Sequence, residues 1–378
     1  MIRTTSTTYT KEDTLQFTFD DDQSSSWISN FDSRKFNRFF IVIDEKVQRI
    51  YGQKLNTLLR KHEKEIFTIS VPAKEESKSL SFYPKLVSFF EKEKCNLSDL
   101  VIAIGGGIIL DLVSFTCSTY MRGLPFYVVP TTLIGQIDAS NAGKTCLNTE
   151  ESKNLLGTFY YPLHVYNNIN FLETNTPYFL RQGYSEMFKY GLLGSAELIS
   201  DMQDYFINPS KGNLMHLILK TNDVRIAIRK KNPLASNLGH TFGHAIEKLS
   251  NFEILHGDAI SAGTVLALNF AKSEGLISQP QVDQIMSWMK SLGLNIYLDK
   301  KLNVEKLVDV MMRDKKSSST TLNLVLIKGV NDPYQTENSF FYPSSPKKII
   351  AFMNEFMRSY PFTLEECAKL IKKDKIIY

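Results

Sequence analysis

Three of the chain's six histidines fall within one short stretch, His240 and His244 in NLGHTFGHAIEKL (237–249) and His256 in ILHGDAISAG (254–263). A spacing of four stacks His240 and His244 on one helix face, with Glu247 one further turn along. Neutral imidazoles are good ligands for a divalent ion such as zinc, so the cluster reads as a metal site, although spacing alone does not say which imidazoles bind directly. Such a cage takes an anionic ligand from elsewhere, and YSEMFKYG (184–191) offers Glu186. Lys189 lies three residues on and points to the same side; an ordinary surface ion pair is the competing explanation.

A second constellation is IAIGGGIILDL (102–112), three glycines between a strand pattern and a helical one. Glycines allow close backbone approach to a pyrophosphate, and the following helix N-terminus offers free N–H groups and a positive dipole. The spacing is not that of the usual dinucleotide fingerprint, so a ligand-free strand–helix turn is the alternative. Asp44, at the end of an earlier strand, stands where a ribose hydroxyl acceptor is expected, or it caps a helix. Asp138, Lys144, Lys153 and Asn154 crowd the loop region after PTTL, where the cations can hold a phosphate; a solvated loop surface is the plainer reading.

These residues need a scaffold. RFFIVID (38–44), IFTISVP (66–72), DLVIAIGGG (99–107) and PFYVVP (125–130) are compact β-branched and aromatic runs, and 79–94 carries apolar residues at helical spacing. Strands alternating with helices predict a parallel α/β sheet. From about Pro177 the pattern turns to long helical periods, with TLNLVLIKG (321–329) the exception. The expectation is an α/β nucleotide-binding domain over 1–175 and a mainly helical metal- and substrate-binding domain over 176–378. The polar segments 1–25, 208–213 and 331–345 are expected to be peripheral.

Composition sets limits. At 378 residues, two domains fit better than one. A hydrophobic content of 43%, with 25 Phe and 17 Tyr, supplies real cores and excludes global disorder. The net charge of +4 is dispersed except between Lys369 and Lys375, so no nucleic-acid footprint is evident. Neither a signal peptide nor a membrane span is suggested, and four scattered cysteines make no disulfide framework. A cytoplasmic enzyme is expected, with no nucleic-acid or membrane partner.

Taken in order, VIDEKV, KEESKSL, GGGIILDL, YMRG, VPTTLIGQIDASNAGKT, KNLLGTFYYP, SEMFKYG, NLGHTFGHAIE and LHGDAISAG resemble the sugar phosphate cyclases typified by 3-dehydroquinate synthase, from about residue 38 to 275 and more weakly over 311–329. The resemblance implies metal ligands Glu186, His240 and His256, for Zn2+ or Co2+, with His244 on the substrate side. It implies NAD contacts from Asp44, Glu75, Lys78, Gly105, Gly106, Gly107, Asp111, Thr131, Thr132, Asp138, Lys144 and Lys153. Substrate contacts would come from Asp138, Lys144, Asn154, Lys189, Asn237, His244, Arg225 and Lys316 of the Lys315–Lys316 pair, and Arg122 would reach a substrate phosphate across a homodimer interface. The implied reaction oxidises a ring hydroxyl with transient reduction of NAD, eliminates phosphate, returns the hydride and closes the ring by an aldol step.

One departure bears on the substrate. The family's carboxylate-holding Arg, four residues before Asn237, is here Pro233, and Arg225 stands for an upstream substrate-binding Lys. Lys230 or Lys231 can supply charge but not a bidentate guanidinium. A cyclase for a non-carboxylated sugar phosphate, of the 2-deoxy-scyllo-inosose or sedoheptulose 7-phosphate type, therefore stays beside the dehydroquinate reaction. A metal-dependent polyol dehydrogenase, which would release NADH, is a more distant alternative.

Overall fold

The computed structural model describes residues 2–8, 14–21, 32–141, 143–150, 153–231, 235–313, 320–337 and 339–362. The chain divides into two compact units, Met1–Leu180 and Arg181–Tyr378.

The first unit is built on β1 (Ile2–Thr8), β2 (Thr14–Asp20), β3 (Arg38–Asp44), α1 (Glu45–Leu59), β4 (Glu65–Val71), α2 (Tyr83–Lys92), β5 (Leu100–Gly105), α3 (Gly107–Thr119), β6 (Phe126–Pro130), α4 (Leu133–Ile137), β7 (Lys144–Leu147), β8 (Leu156–Phe159) and β9 (His164–Asn168). Seven strands form one sheet in the order β1-β2-β9-β6-β5-β3-β4, in which all neighbours are parallel except β1 and β2. The central strands are buried on both faces, which is why β3 and β5 read as unbroken apolar runs rather than alternating ones. Phe39, Ile41 and Ile43 of β3 pack with Leu55 and Leu58 of α1 and with Ile102, Ile104 and Val129. Because β3, β5 and β6 run parallel and in register, Asp44, Gly105 and Pro130 end them at one carboxyl edge, the edge where such sheets bind ligands.

The N-terminal segment departs from expectation. It is not merely peripheral: β2 joins the sheet beside β9, with Leu15, Phe17 and Phe19 almost completely buried. TLQFTFD alternates with period two, a signal that the polar average over 1–25 conceals. The stretch after Pro130 also holds more order than its turn-rich composition suggests, since β7 and β8 pair as a hairpin there. TLNLVLIKG is two short strands, not one.

The second unit follows as α5 (Pro177–Gly194), α6 (Ala196–Ile207), α7 (Lys211–Lys231), α8 (His240–Leu249), α9 (His256–Ser273), α10 (Gln279–Ser291), α11 (Val304–Met312), β10 (Leu322–Leu324), β11 (Ile327–Gly329), β12 (Asp332–Pro333), β13 (Tyr342–Ser344) and α12 (Pro346–Ser359). The segment 331–345, expected to be peripheral, thus contributes β13 to a pair with β10, and Ser344 is buried. α9 is its central helix, buried continuously from Gly257 to Ala271. α8 approaches it at backbone distance: a Cβ on Gly243 would lie 2.9 Å from the Ala259 carbonyl oxygen, and one on Gly263 would lie 2.7 Å from the Gly243 nitrogen. Gly239, at φ +74°, makes the left-handed entry into α8 that only glycine adopts without strain. No helix among the described residues is long and apolar enough to cross a membrane.

Candidate active site

In the second unit, α5 brings Glu186 and Lys189, α8 brings His240, His244 and Glu247, and the first residue of α9 is His256. α5 is fixed against the start of α9 by the two-pronged ion pair of Arg181 with Asp258 (2.8 Å), by Gln182 Oε1 accepting the Asp258 N–H (3.0 Å) and by the Ser185–Ser261 hydroxyl contact (2.9 Å). Gly257 permits this approach, since a Cβ there would lie 2.5 Å from the Gln182 Cα.

The ligand atoms of His240, His244 and His256 lie within 4.8 Å of one another. Glu186 Oε1 faces two of them, 3.8 Å from His240 Nε2 and 3.5 Å from His256 Nε2. That oxygen is fully buried and accepts no hydrogen bond, whereas Oε2 pairs with Lys189. A buried carboxylate oxygen without a donor is costly, and here it points at two imidazole nitrogens. Both rings are held from behind, His240 Nδ1 by the Leu238 carbonyl at 3.0 Å and His256 Nδ1 by Glu247 Oε2 at 3.1 Å. Burial, with help from the Lys189 charge and the neighbouring imidazoles, pushes the His240 pKa well below the usual histidine range. Burial also presses on His256, but the carboxylates of Glu247 and Glu186 outweigh it and lift the imidazole to about 9. The Glu186–Lys189 pair is no surface pair, for neither side chain is more than 1% exposed.

In the first unit, the three glycines join β5 to α3, and Gly106 is the N-cap of α3 with no side chain capping it. None of the three is left-handed. Their requirement is space: a Cβ on Gly105 would lie 2.8 Å from Ile109, and one on Gly106 would lie 3.0 Å from Thr132 Cγ2. Beside this turn Lys78 Nζ donates to Asp111 Oδ2 at 2.5 Å, and Glu75 Oε1 accepts from Asn148 at 2.8 Å and faces Lys153 at 3.5 Å. Burial lowers the Lys78 pKa, yet the Asp111 carboxylate more than reverses this, so the ammonium stays charged. Asp44 serves as the N-cap of α1, accepting the Lys46 N–H at 2.7 Å. Thr131 is buried and Thr132 caps α4.

Asp138 ends α4, Lys144 opens β7, and Asn154, left-handed at φ +54°, accepts from the Cys146 thiol and donates its backbone N–H to Asn148. Asn148 and Cys146 belong to this cluster but carry no spacing signal that sequence reading could use. Arg122 is exposed in a turn where Met121, Arg122 and Gly123 all have positive φ. Arg225 is 1% exposed on α7, and Asn237 is partly buried in the turn before α8. Pro233 and the Lys315–Lys316 pair lie outside the described residues.

A parallel α/β unit with a glycine turn at its carboxyl edge, followed by a helical unit carrying a histidine–carboxylate cluster, defines the dehydroquinate synthase-like class. A 2-deoxy-scyllo-inosose synthase solved with carbaglucose-6-phosphate, NAD+ and Co2+ has the same fold, with a TM-score of 0.84 at 21% identity over 93% of this chain and 99% of that one. So does a 2-epi-5-epi-valiolone synthase from Streptomyces hygroscopicus subsp. jinggangensis with NAD+ and Zn2+ bound, with a TM-score of 0.80 at 23% identity over 93% and 99%. Residues 68–182 match the 3-dehydroquinate synthase N-terminal family and 183–317 the 3-dehydroquinate synthase C-terminal family. A 3-dehydroquinate synthase of Aliivibrio fischeri is 33% identical over 299 residues, 76% of this chain and 83% of the relative. The chain belongs to the 3-dehydroquinate synthase family.

Proposed function

We propose that the protein is an NAD- and divalent-metal-dependent sugar phosphate cyclase that forms 3-dehydroquinate from 3-deoxy-arabino-heptulosonate 7-phosphate, as a phosphate-eliminating carbon–oxygen lyase. The observation that carries this reading is Glu186 Oε1, buried, without a donor, and facing Nε2 of both His240 and His256. One carboxylate and two imidazoles suit Zn2+ or Co2+ and leave coordination positions for a substrate oxygen. The glycine turn, which any Cβ at Gly105 or Gly106 would crowd, suits a pyrophosphate at the start of α3.

When bound, the metal supplies Lewis-acid polarisation of a substrate hydroxyl, and NAD a reversible hydride acceptor. The chain's own residues do the rest. Glu186, His240 and His256 hold the ion, and Lys189, paired with Glu186, donates to substrate oxygen. His244, its ring 5.2 Å from His240 and 5.6 Å from His256, handles a proton on the substrate side. Asp44, Glu75, Lys78, Asp111, Thr131, Thr132 and Lys153 bind the nucleotide, while Asp138, Lys144, Asn154, Arg225, Asn237 and Lys316 hold the substrate.

Arg122 acts on the substrate phosphate of a second subunit in a cytoplasmic homodimer. Its exposed turn and the exposed apolar side chains of Met121, Leu155, Phe159 and Leu163 in the same unit support that assignment. Sedimentation of the purified protein tests it.

The test of function is phosphate release from a panel of sugar phosphates with NAD and Zn2+ or Co2+. Release from the heptulosonate phosphate, abolished by a chelator, supports the reading. Pro233 favours one second reading, a substrate without a carboxylate. A missing charge-assisted contact is worth roughly 1.5–3 kcal/mol, so a kcat/KM ratio favouring a neutral sugar phosphate by more than about tenfold selects the second reading.

A further inference from the structure

Glu247 is used neither by the metal reading nor by the substrate reading, yet it is a carboxylate only 2% exposed. A buried carboxylate is retained at a cost unless a donor or a cation meets it. Its Oε2 meets Nδ1 of His256 at 3.1 Å, and the other nitrogen of the same ring faces Glu186. An imidazole has two tautomers, and a carboxylate accepting from Nδ1–H leaves the lone pair on Nε2. His240 receives the same instruction from a backbone carbonyl, that of Leu238. His256, like His240 the first residue of its helix, receives that contact from a side chain instead of a backbone carbonyl. Glu247 lies on the preceding helix, and its own carbonyl accepts the Phe252 N–H and the Ser250 hydroxyl, which shape the connection leading to His256.

We infer that Glu247 is a positioning residue for the metal centre: by accepting the Nδ1–H of His256 it fixes that ring's tautomer and orientation, so that Nε2 is presented to the ion beside Glu186. This rests on the proposed ligand set Glu186, His240 and His256. Outer-sphere partners of this kind typically alter metal affinity by roughly 10- to 100-fold. Glu247 touches neither substrate nor cofactor in this account.

The experiment uses the full-length protein loaded with Zn2+ and compares wild type with E247A, E247Q and the control H256A. Zinc affinity is read by competition with a chromophoric chelator, and the His256 ring by nitrogen-15 imidazole spectra. E247A should bind zinc roughly 10- to 100-fold more weakly and lose the Nδ1–H signature. E247Q keeps an acceptor in place and should lie between E247A and wild type. If E247A does not fold, E247Q decides alone, with a weaker zinc affinity expected and wild-type affinity overturning the inference. Folded E247A with wild-type zinc affinity also overturns it, provided H256A has lost zinc. If H256A itself binds zinc like wild type, the ligand set fails and the inference falls with it.

Discussion

Oε1 of Glu186 and Nε2 of His256 face each other at 3.5 Å, and no hydrogen bond satisfies that carboxylate oxygen. The pair is brought together by α5 and the first turn of α9, which Arg181, Gln182 and Ser185 lock by contacts to Asp258 and Ser261. The proposed divalent ion between them would answer an otherwise unmet acceptor.

The first concerns charge. Lys189 is the buried cation that compensates Glu186. Removing one partner of a buried pair costs about 3–5 kcal/mol, so K189A should unfold at markedly lower denaturant when metal-free. Zinc should restore much of the loss, because the ion then meets the carboxylate. Denaturation of K189A with and without zinc checks this; equal losses in both states would speak against a metal at Glu186.

The second concerns helix approach. G257A must move the backbone near Gln182, since the added Cβ would lie 2.5 Å from its Cα. Overpacking of this kind costs about 1–3 kcal/mol, and separating α5 from α9 separates Glu186 from His256. G257A should therefore lower both the melting temperature and zinc affinity. G212A, which meets nothing within 4 Å on α7, should lower neither.

The third concerns pH. His164 stacks on Tyr166, with ring centroids 3.8 Å apart, and is hydrogen-bonded to Thr18 at 2.8 Å. Burial pushes its pKa down to about 4. As pH falls below the unfolded value near 6.5, the unfolded chain takes up the proton first. The stability His164 contributes is thus complete above about pH 6.5 and lost on the way to about pH 4, on the order of 3 kcal/mol. H164Q should flatten the urea midpoint across that window, and an unchanged slope would contradict the assignment.

Much of this was legible in the sequence, for reasons that differ by residue. RFFIVID and LVIAIG announce buried parallel strands because no polar residue interrupts them, and the histidine cluster is readable because His240 and His244 share a helix face. Other features resisted. β2 is hidden in a polar segment whose period-two signal covers few residues, and β9, HVYNN, mixes polar residues into a buried strand. The glycine turn was legible as a turn allowing close approach, but the crowding of a Cβ by Ile109 and Thr132 was not. Glu247 is legible as an acid one turn beyond His244, but nothing in its spacing says that its partner is the first residue of the next helix.

A redox cycle without net oxidation is tested most directly by following inorganic phosphate and reduced nicotinamide together in one reaction with NAD, Zn2+ and 3-deoxy-arabino-heptulosonate 7-phosphate. Phosphate should be released over many turnovers while free NADH stays near zero, because the hydride returns to the molecule that gave it. NADH accumulating in step with substrate consumption, without phosphate release, would contradict it and make the protein a dehydrogenase.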